Sequence, residues 1–353
     1  MELGVFHSLQ APDAFGVTPA RVYGEALEQI QHAEALGFSH AWLTEHHFMD
    51  DGYCPSPMIA AATIAGRTER MRIGQGIVLL PLYGHPLKLA EDAAVLDVLS
   101  NGRLELGVGM GYREAEFSGF GLELSSRRRR MDEGIEIIRR AWTGEQFSYD
   151  GRYYQVNDAV LSPLPVQRPG PPLWLGAGTP KARAKVAQMG LPLLISLVTT
   201  FEETRAEFAD YTEALAVAGH DPAEFRRALI REYYVAEDAE RAWNEVKPYL
   251  GYVYREVYPP HWLRLFADDG AGGKRRVRQV DDPWLQSPEF ARDRFIIGDP
   301  EHCASEIARY RDELGIDLLI LRMQYPGQPA SQVERSLELT GREVMPRLGQ
   351  ARP

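Results

Sequence analysis

Cysteine is nearly absent from this 353-residue chain, which holds only Cys54 and Cys303. One disulfide could form, but there is no disulfide framework and no C-x-x-C pair. Positive charge is also short. Thirty-nine Lys and Arg stand against 50 Asp and Glu, giving a formal net charge of −11 and a pI near 5.4. Nucleic-acid binding needs a positive field that displaces the counterions around phosphate, so no nucleic-acid partner is expected. No apolar run approaches the ~20 residues of a membrane span. The opening M-E-L-G-V-F-H has no basic segment followed by an apolar run, so it does not read as a signal peptide. These absences leave a cytoplasmic enzyme, with no membrane partner, as the expected class.

What is present is a rhythm. Hydrophobic residues make up 44% of the chain, enough to bury a sizeable core. Short apolar runs fall at 3–8, 41–45, 73–81, 104–111, 172–178, 191–198, 229–236 and 316–323. Amphipathic segments at 21–36, 57–67, 86–99, 126–142, 180–189, 202–218 and 331–345 read as helices between or after them. About eight strands, each followed by a helix, give the cadence of a (β/α)8 TIM barrel of the α/β class. The runs are apolar throughout, as a parallel sheet covered on both faces requires. A doubly wound sheet is the alternative, but the G-x-G-x-x-G that usually follows its first strand is missing. No linker divides the chain, so residues 1–353 read as one domain.

Two regions interrupt the cadence. F-S-Y-D-G-R-Y-Y-Q-V reads as a small hairpin turning at Asp150-Gly151. An insertion near residues 249–292 carries Tyr252, Tyr254, Tyr258, His261, Trp262 and Phe266, then the polar tract D-D-G-A-G-G-K-R-R-V-R. Insertions of that length are functional or disordered. The aromatic half reads as a substrate lid or as a decorated surface loop, and the polar half as mobile.

Three stretches carry chemistry. In a barrel of this kind the C-terminal strand ends form the active-site face. A-W-L-T-E-H-H-F-M-D places Glu45, His46 and His47 at one such end. A metal site, a structural histidine pair and proton exchange at a cofactor are all open readings. Adjacent histidines cannot share one face as in H-E-x-x-H, so proton exchange is favoured and no metal is expected. In G-V-G-M-G-Y-R-E-A-E-F, Gly107, Gly109 and Gly111 alternate. They either open one strand face to a planar ring or permit close packing. In L-G-A-G-T-P-K-A-R, Thr179 is a good N-cap and Pro180 suits the first helical position. That helix start either binds a phosphate, with Lys181 and Arg183 nearby, or is simply capped. The S-S-R-R-R-R run at 125–130 spreads around a helix and reads as a solvated face or partner patch.

Taken in order, E-H-H-F, I-G-Q-G-I-V-L-L-P, H-P-L-K-L-A-E-D, L-D-V-L-S-N-G-R-L-E-L-G-V-G-M-G-Y, P-V-Q-R-P-G-P-P-L-W-L-G-A-G-T, F-I-I-G-D-P and L-G-I-D-L-L-I-L-R resemble the bacterial luciferase-like family of flavin-dependent monooxygenases. The resemblance covers about residues 1–345 apart from the insertion. It implies a dimeric TIM barrel that takes reduced FMN from a separate flavin reductase. Dioxygen adds to the reduced ring, and the resulting flavin (hydro)peroxide oxidises a small organic substrate. The aromatic insertion hints that this substrate is apolar.

By the same resemblance His46 is the catalytic histidine and His47 lies beside it. Glu45 is expected to orient an imidazole, as carboxylates do. Gly176, Ala177, Gly178 and Thr179 hold the FMN phosphate. Gly76-Ile77 is a cis peptide beneath the ring, and Gly109 and Met110 adjoin it. Met110 stands where luciferase has a phosphate-contacting arginine. A deazaflavin-dependent hydride-transfer enzyme and a non-catalytic flavin-binding subunit are the alternatives.

Overall fold

A computed structural model describes residues 1–195, 197–258, 266–268, 274–276 and 287–349. Eight parallel strand positions close on one another. β1 (Glu2–His7), β2 (His40–Leu43), β3 (Arg72–Gln75), β5 (Leu104–Gly109), β8 (Leu173–Gly176), β9 (Leu193–Ile195), β10 (Ala228–Val235) and β14 (Leu318–Arg322) follow in order, and β14 pairs back to β1. The barrel expected from the cadence is therefore closed. Eight expected strands coincide with these eight.

Three departures are instructive. The third strand is not continuous over 73–81. It breaks after Gln75 at a cis Gly76-Ile77 peptide and resumes as β4 (Val78–Leu79) beside β5. The hairpin pairs β6 (Phe147–Asp150) with β7 (Gln155–Ala159), but it turns through Gly151–Tyr154, where the Gly151 N–H donates to the Tyr154 carbonyl. Glu133 reaches across to accept from the N–H groups of Arg152, Tyr153 and Tyr154, so a helix residue fixes a turn that local sequence did not specify. Finally, β13 (Ile296–Gly298) lies outside the barrel, in parallel against Tyr233–Val235. It had no place in the eight-strand count.

The helices start where the chain supplies caps. In α1 (Pro19–Leu36) Thr18 accepts from the Arg21 N–H and Gly37 closes the helix in a left-handed conformation, while Val22, Ala26, Ile30 and Ala33 face the strands. α7 (Phe201–Val217) opens with a Thr200/Glu203 capping box. α2 (Pro57–Ala65), α3 (Pro86–Leu99) and α6 (Pro180–Gln188) each begin with proline. α8 (Ala239–Tyr252) and a later helix, α9 (Pro300–Leu314), complete the ring and were not expected from the sequence.

Alternate strand residues face the two sides. Val5, Ala41, Leu43, Ile73, Leu106 and Leu319 join the cluster beneath the helices. Phe6, Trp42, Trp174, Leu194, Ile230 and Ile320 form the second cluster, inside the barrel. Trp42 and Trp174 meet edge to face at 6.1 Å. A Cβ at Gly74 would lie 2.1 Å from the Trp42 ring, so glycine there is what lets an indole fill the centre.

At the N-terminal end, Glu105 ties three strands. It accepts from Arg72 Nε at 2.5 Å and Trp174 Nε1 at 3.0 Å, and lies 3.3 Å from His40 Nε2. Burial alone would raise its carboxyl, but His40 and Arg72 outweigh it and hold the pKa at about 2.

Candidate active site

The chain leaves β2 after Leu43 and stays buried through Thr44, Glu45 and His46. The two imidazoles then part company. His46 Nδ1 lies 2.7 Å from Glu116 Oε1, and its Nε2 lies 3.2 Å from the Tyr112 hydroxyl. The Tyr53 ring meets the His46 ring edge-on at 4.7 Å. His47 Nε2 instead lies 2.7 Å from Glu45 Oε1, while Glu45 Oε2 accepts the Leu79 N–H at 2.7 Å. Glu45 thus orients an imidazole, but the imidazole is His47. His47 and Glu45 face a 720 Å³ surface cavity between α2 and α3, walled by residues such as Met58, Ile59, Leu82 and Leu96.

Glu116 lies on α4 (Glu114–Gly119), 70 residues after His46. Its Oε1 also accepts the His47 backbone N–H at 3.0 Å, and the Arg113 guanidinium stands 3.8 Å away. Burial pushes this carboxyl up. The bonds from His46 and His47 and the nearby positive charge pull it net below the ordinary carboxylate range. Burial holds the Tyr112 phenol well above its ordinary pKa, so the hydroxyl keeps its proton. The stretch Y-R-E-A-E-F carried both residues. Nothing in it distinguishes the exposed Glu114 from the buried Glu116.

The glycines of β5 divide into packing and opening. A Cβ at Gly107 would sit 1.9 Å from the Gln75 carbonyl oxygen, and one at Gly109 would sit 1.6 Å from Ile77 Cδ1. Both are filled by the broken third strand, so the reading that they bare the sheet to a ring is replaced by close packing. Gly111 is left-handed, with φ 70°. Met110 is half-buried just beyond β5. Val108 pairs with Leu175, which carries Gly109 and Met110 alongside Gly176 and Ala177.

Gly176, Gly178 and Thr179 are exposed, and a Cβ on either glycine would meet nothing within 4 Å. Thr179 caps α6 by accepting from the Ala182 N–H at 3.3 Å. Among the described residues, the N–H groups of Gly178 and Thr179 donate to no backbone carbonyl. Lys181 is exposed, whereas Arg183 turns away into ion pairs with Glu207 at 3.1 Å and Asp210 at 2.6 Å. Arg183 therefore adds no charge to this loop.

Sequence reasoning also passed over a buried pair at the barrel mouth. Arg322 Nη1 lies 3.4 Å from Glu232 Oε1, and both side chains are fully buried. Arg322 also donates to Ser8 and Gln10, and the Tyr254 hydroxyl donates to Glu232 at 3.3 Å. Burial raises the Glu232 carboxyl despite the guanidinium beside it. A charge inside an apolar strand run was the available signal.

Tyr252 donates to buried Asp51 at 3.1 Å, so the start of the aromatic insertion is tied to the E-H-H loop. Further along, His261 and Trp262 lie outside the described residues, β11 (Phe266–Asp268) pairs antiparallel with β12 (Lys274–Arg276), and the rest of the polar tract expected to be mobile lies outside the described residues. Among the described residues, no group of three or more His, Cys, Asp or Glu is placed to hold a metal ion, and no helix is long and apolar enough to cross a membrane.

A closed parallel barrel with a carboxylate-held imidazole on its C-terminal rim is the architecture of a TIM-barrel enzyme. The chain belongs to the luciferase-like monooxygenase family, whose profile matches residues 1–318. It is 27% identical, over 95% of its length and 92% of the relative's, to the oxygenase component of a flavin-dependent trigonelline monooxygenase from Acinetobacter baylyi. Two solved structures share the fold. The oxygenating constituent of 3,6-diketocamphane monooxygenase from Pseudomonas putida, in complex with FMN, has TM-score 0.82 and 20% identity, covering 99% of both chains. An F420-dependent secondary alcohol dehydrogenase has TM-score 0.75 and 20% identity, again covering 99% of both. At that identity the likeness speaks for the fold alone.

Proposed function

We propose that this protein is the oxygenase of a two-component monooxygenase, using reduced FMN and dioxygen to oxidise a small, apolar organic substrate. The observation that carries the reading is the shared rim. The buried, carboxylate-held imidazole of His46 and an open helix start at Gly176–Thr179 both lie at C-terminal strand ends.

The residues present suit FMN. Gly176, Ala177, Gly178 and Thr179 offer open space at both glycines and the positive end of α6, which fit a phosphate. Gly76, Ile77 and Met110 would floor the ring, with Ile77 seated on Gly109. FMN, when bound and reduced, would supply the electrons that activate dioxygen. His46 gives and takes a proton through Nε2. His47, with Glu45, braces the rim next to it. Tyr53, Tyr112 and the Tyr252–Tyr258 stretch keep water from the mouth.

The trigonelline relative is named as one component of a pair, which supports a separate flavin reductase as partner. A homodimer is supported by Ile59, Val95, Val98 and Leu99, large apolar side chains exposed on α2 and α3. Two free, buried thiols, Cys54 and Cys303, suit a reducing, cytoplasmic compartment.

A second reading rests on Met110. With no cation there, a deazaflavin serving hydride transfer is the rival cofactor. Anaerobic mixing with reduced FMN, followed by a pulse of dioxygen, tests both. Flavin reoxidation slower on the protein than in free solution is expected. Absence of FMN binding, with binding of a deazaflavin, would reverse the assignment.

A further inference from the structure

We propose that Glu116 is the positioning residue of His46, fixing the Nδ1–H tautomer and aiming the Nε2 lone pair at Tyr112 and the barrel mouth. The inference rests on the reading of His46 as the acid–base group.

A neutral imidazole has one N–H and one lone pair, and an ionised carboxylate can only accept. Glu116 Oε1 is 2.7 Å from Nδ1, so Nδ1 carries the hydrogen. Nε2 is then the acceptor, and the Tyr112 hydroxyl at 3.2 Å is oriented to donate to it.

The carboxylate cannot easily swing away. It is buried on α4, and the same oxygen takes the His47 N–H. Glu45, the acidic neighbour in sequence, is already committed to His47 and to the Leu79 N–H. One imidazole therefore has one carboxylate, and the two pairs do not exchange partners.

The groups facing His46 are Glu116 and Arg113 from the α4 side, Tyr112 after β5, Tyr53 from the loop before α2, and Glu45 and His47 along its own segment. Tyr258 stands behind Tyr53 and Tyr112. Glu116 is the carboxylate in hydrogen-bond contact with the His46 ring.

The test uses the full-length apoprotein labelled with ¹⁵N-histidine, with His46→Asn to assign the His46 signals. Two-bond ¹H–¹⁵N correlations should give His46 as the Nδ1–H tautomer. Glu116→Gln keeps an acceptor but removes the charge. It should retain the tautomer, whereas Glu116→Leu, which removes the acceptor, should shift His46 toward the Nε2–H form. Glu45→Gln should move the His47 signals and leave those of His46 in place.

An Nε2–H tautomer in the wild type, or a His46 tautomer indifferent to Glu116→Leu, would overturn the proposal. So would a His46 tautomer changed as fully by Glu45→Gln. The tautomer measurement needs no flavin. If it behaves as expected while His46→Asn leaves coupled oxidation unchanged, the positioning by Glu116 stands and the catalytic reading of His46 falls.

Discussion

His46 and His47 are neighbours in the chain, yet each is held by a different carboxylate, Glu116 for the first and Glu45 for the second. One ring addresses the barrel mouth through Tyr112. The other lines a cavity between α2 and α3.

That division predicts unequal variants. His46→Asn should lower substrate-coupled oxygen consumption by about 100-fold, the lower range for a lost general acid–base, with FMN affinity retained. His47→Asn should cost less than about tenfold. An oxygen electrode with product quantification checks both, and equal losses would contradict the separation.

Glycine variants separate packing from binding. Gly107→Ala and Gly109→Ala would press a Cβ against the Gln75 carbonyl and the Ile77 side chain, so each should destabilise by about 1–3 kcal/mol. Gly107→Ala should be the worse, because a backbone carbonyl cannot swing aside. Gly178→Ala meets open space and should change stability by under about 0.5 kcal/mol while weakening FMN binding. Urea denaturation and flavin titration read the two effects.

Removing one member of the buried pair is more costly than removing both. Arg322→Met strands the Glu232 carboxylate in the core and should cost about 3–5 kcal/mol. The double variant with Glu232→Leu should recover most of that. Chemical denaturation of the two proteins decides whether the pair is needed for stability.

Stability should fall with acid in two windows. Burial holds the His7 imidazole at about 4, below its unfolded value of 6.5, so the unfolded chain binds the extra proton. The stabilisation is complete above pH 6.5 and fades as pH falls to about 4. Glu105 is held at about 2 against an ordinary 4.5. Its contribution is present above that ordinary value and is lost as pH falls through 2. In denaturation followed against pH, His7→Gln should flatten the upper window and Glu105→Gln the lower one.

The barrel was legible in the sequence. Apolar runs of strand length and Thr179-Pro180 at the start of α6 act through residues a few positions apart, so their outcome is written locally. The sequence also placed Glu45, His46 and His47 at a strand end on the rim.

It did not determine their partners. Glu116 reaches His46 across 70 residues, and Arg322 reaches Glu232 across 90. The alternating glycines of β5 were legible as a gap, but whether a ligand or the neighbouring strand fills that gap depends on where Gln75 and Ile77 lie. Periodicity fixes which face a side chain takes. Only closing the sheet into a barrel brings distant strand ends within hydrogen-bond reach, and that closure chose which carboxylate holds which histidine.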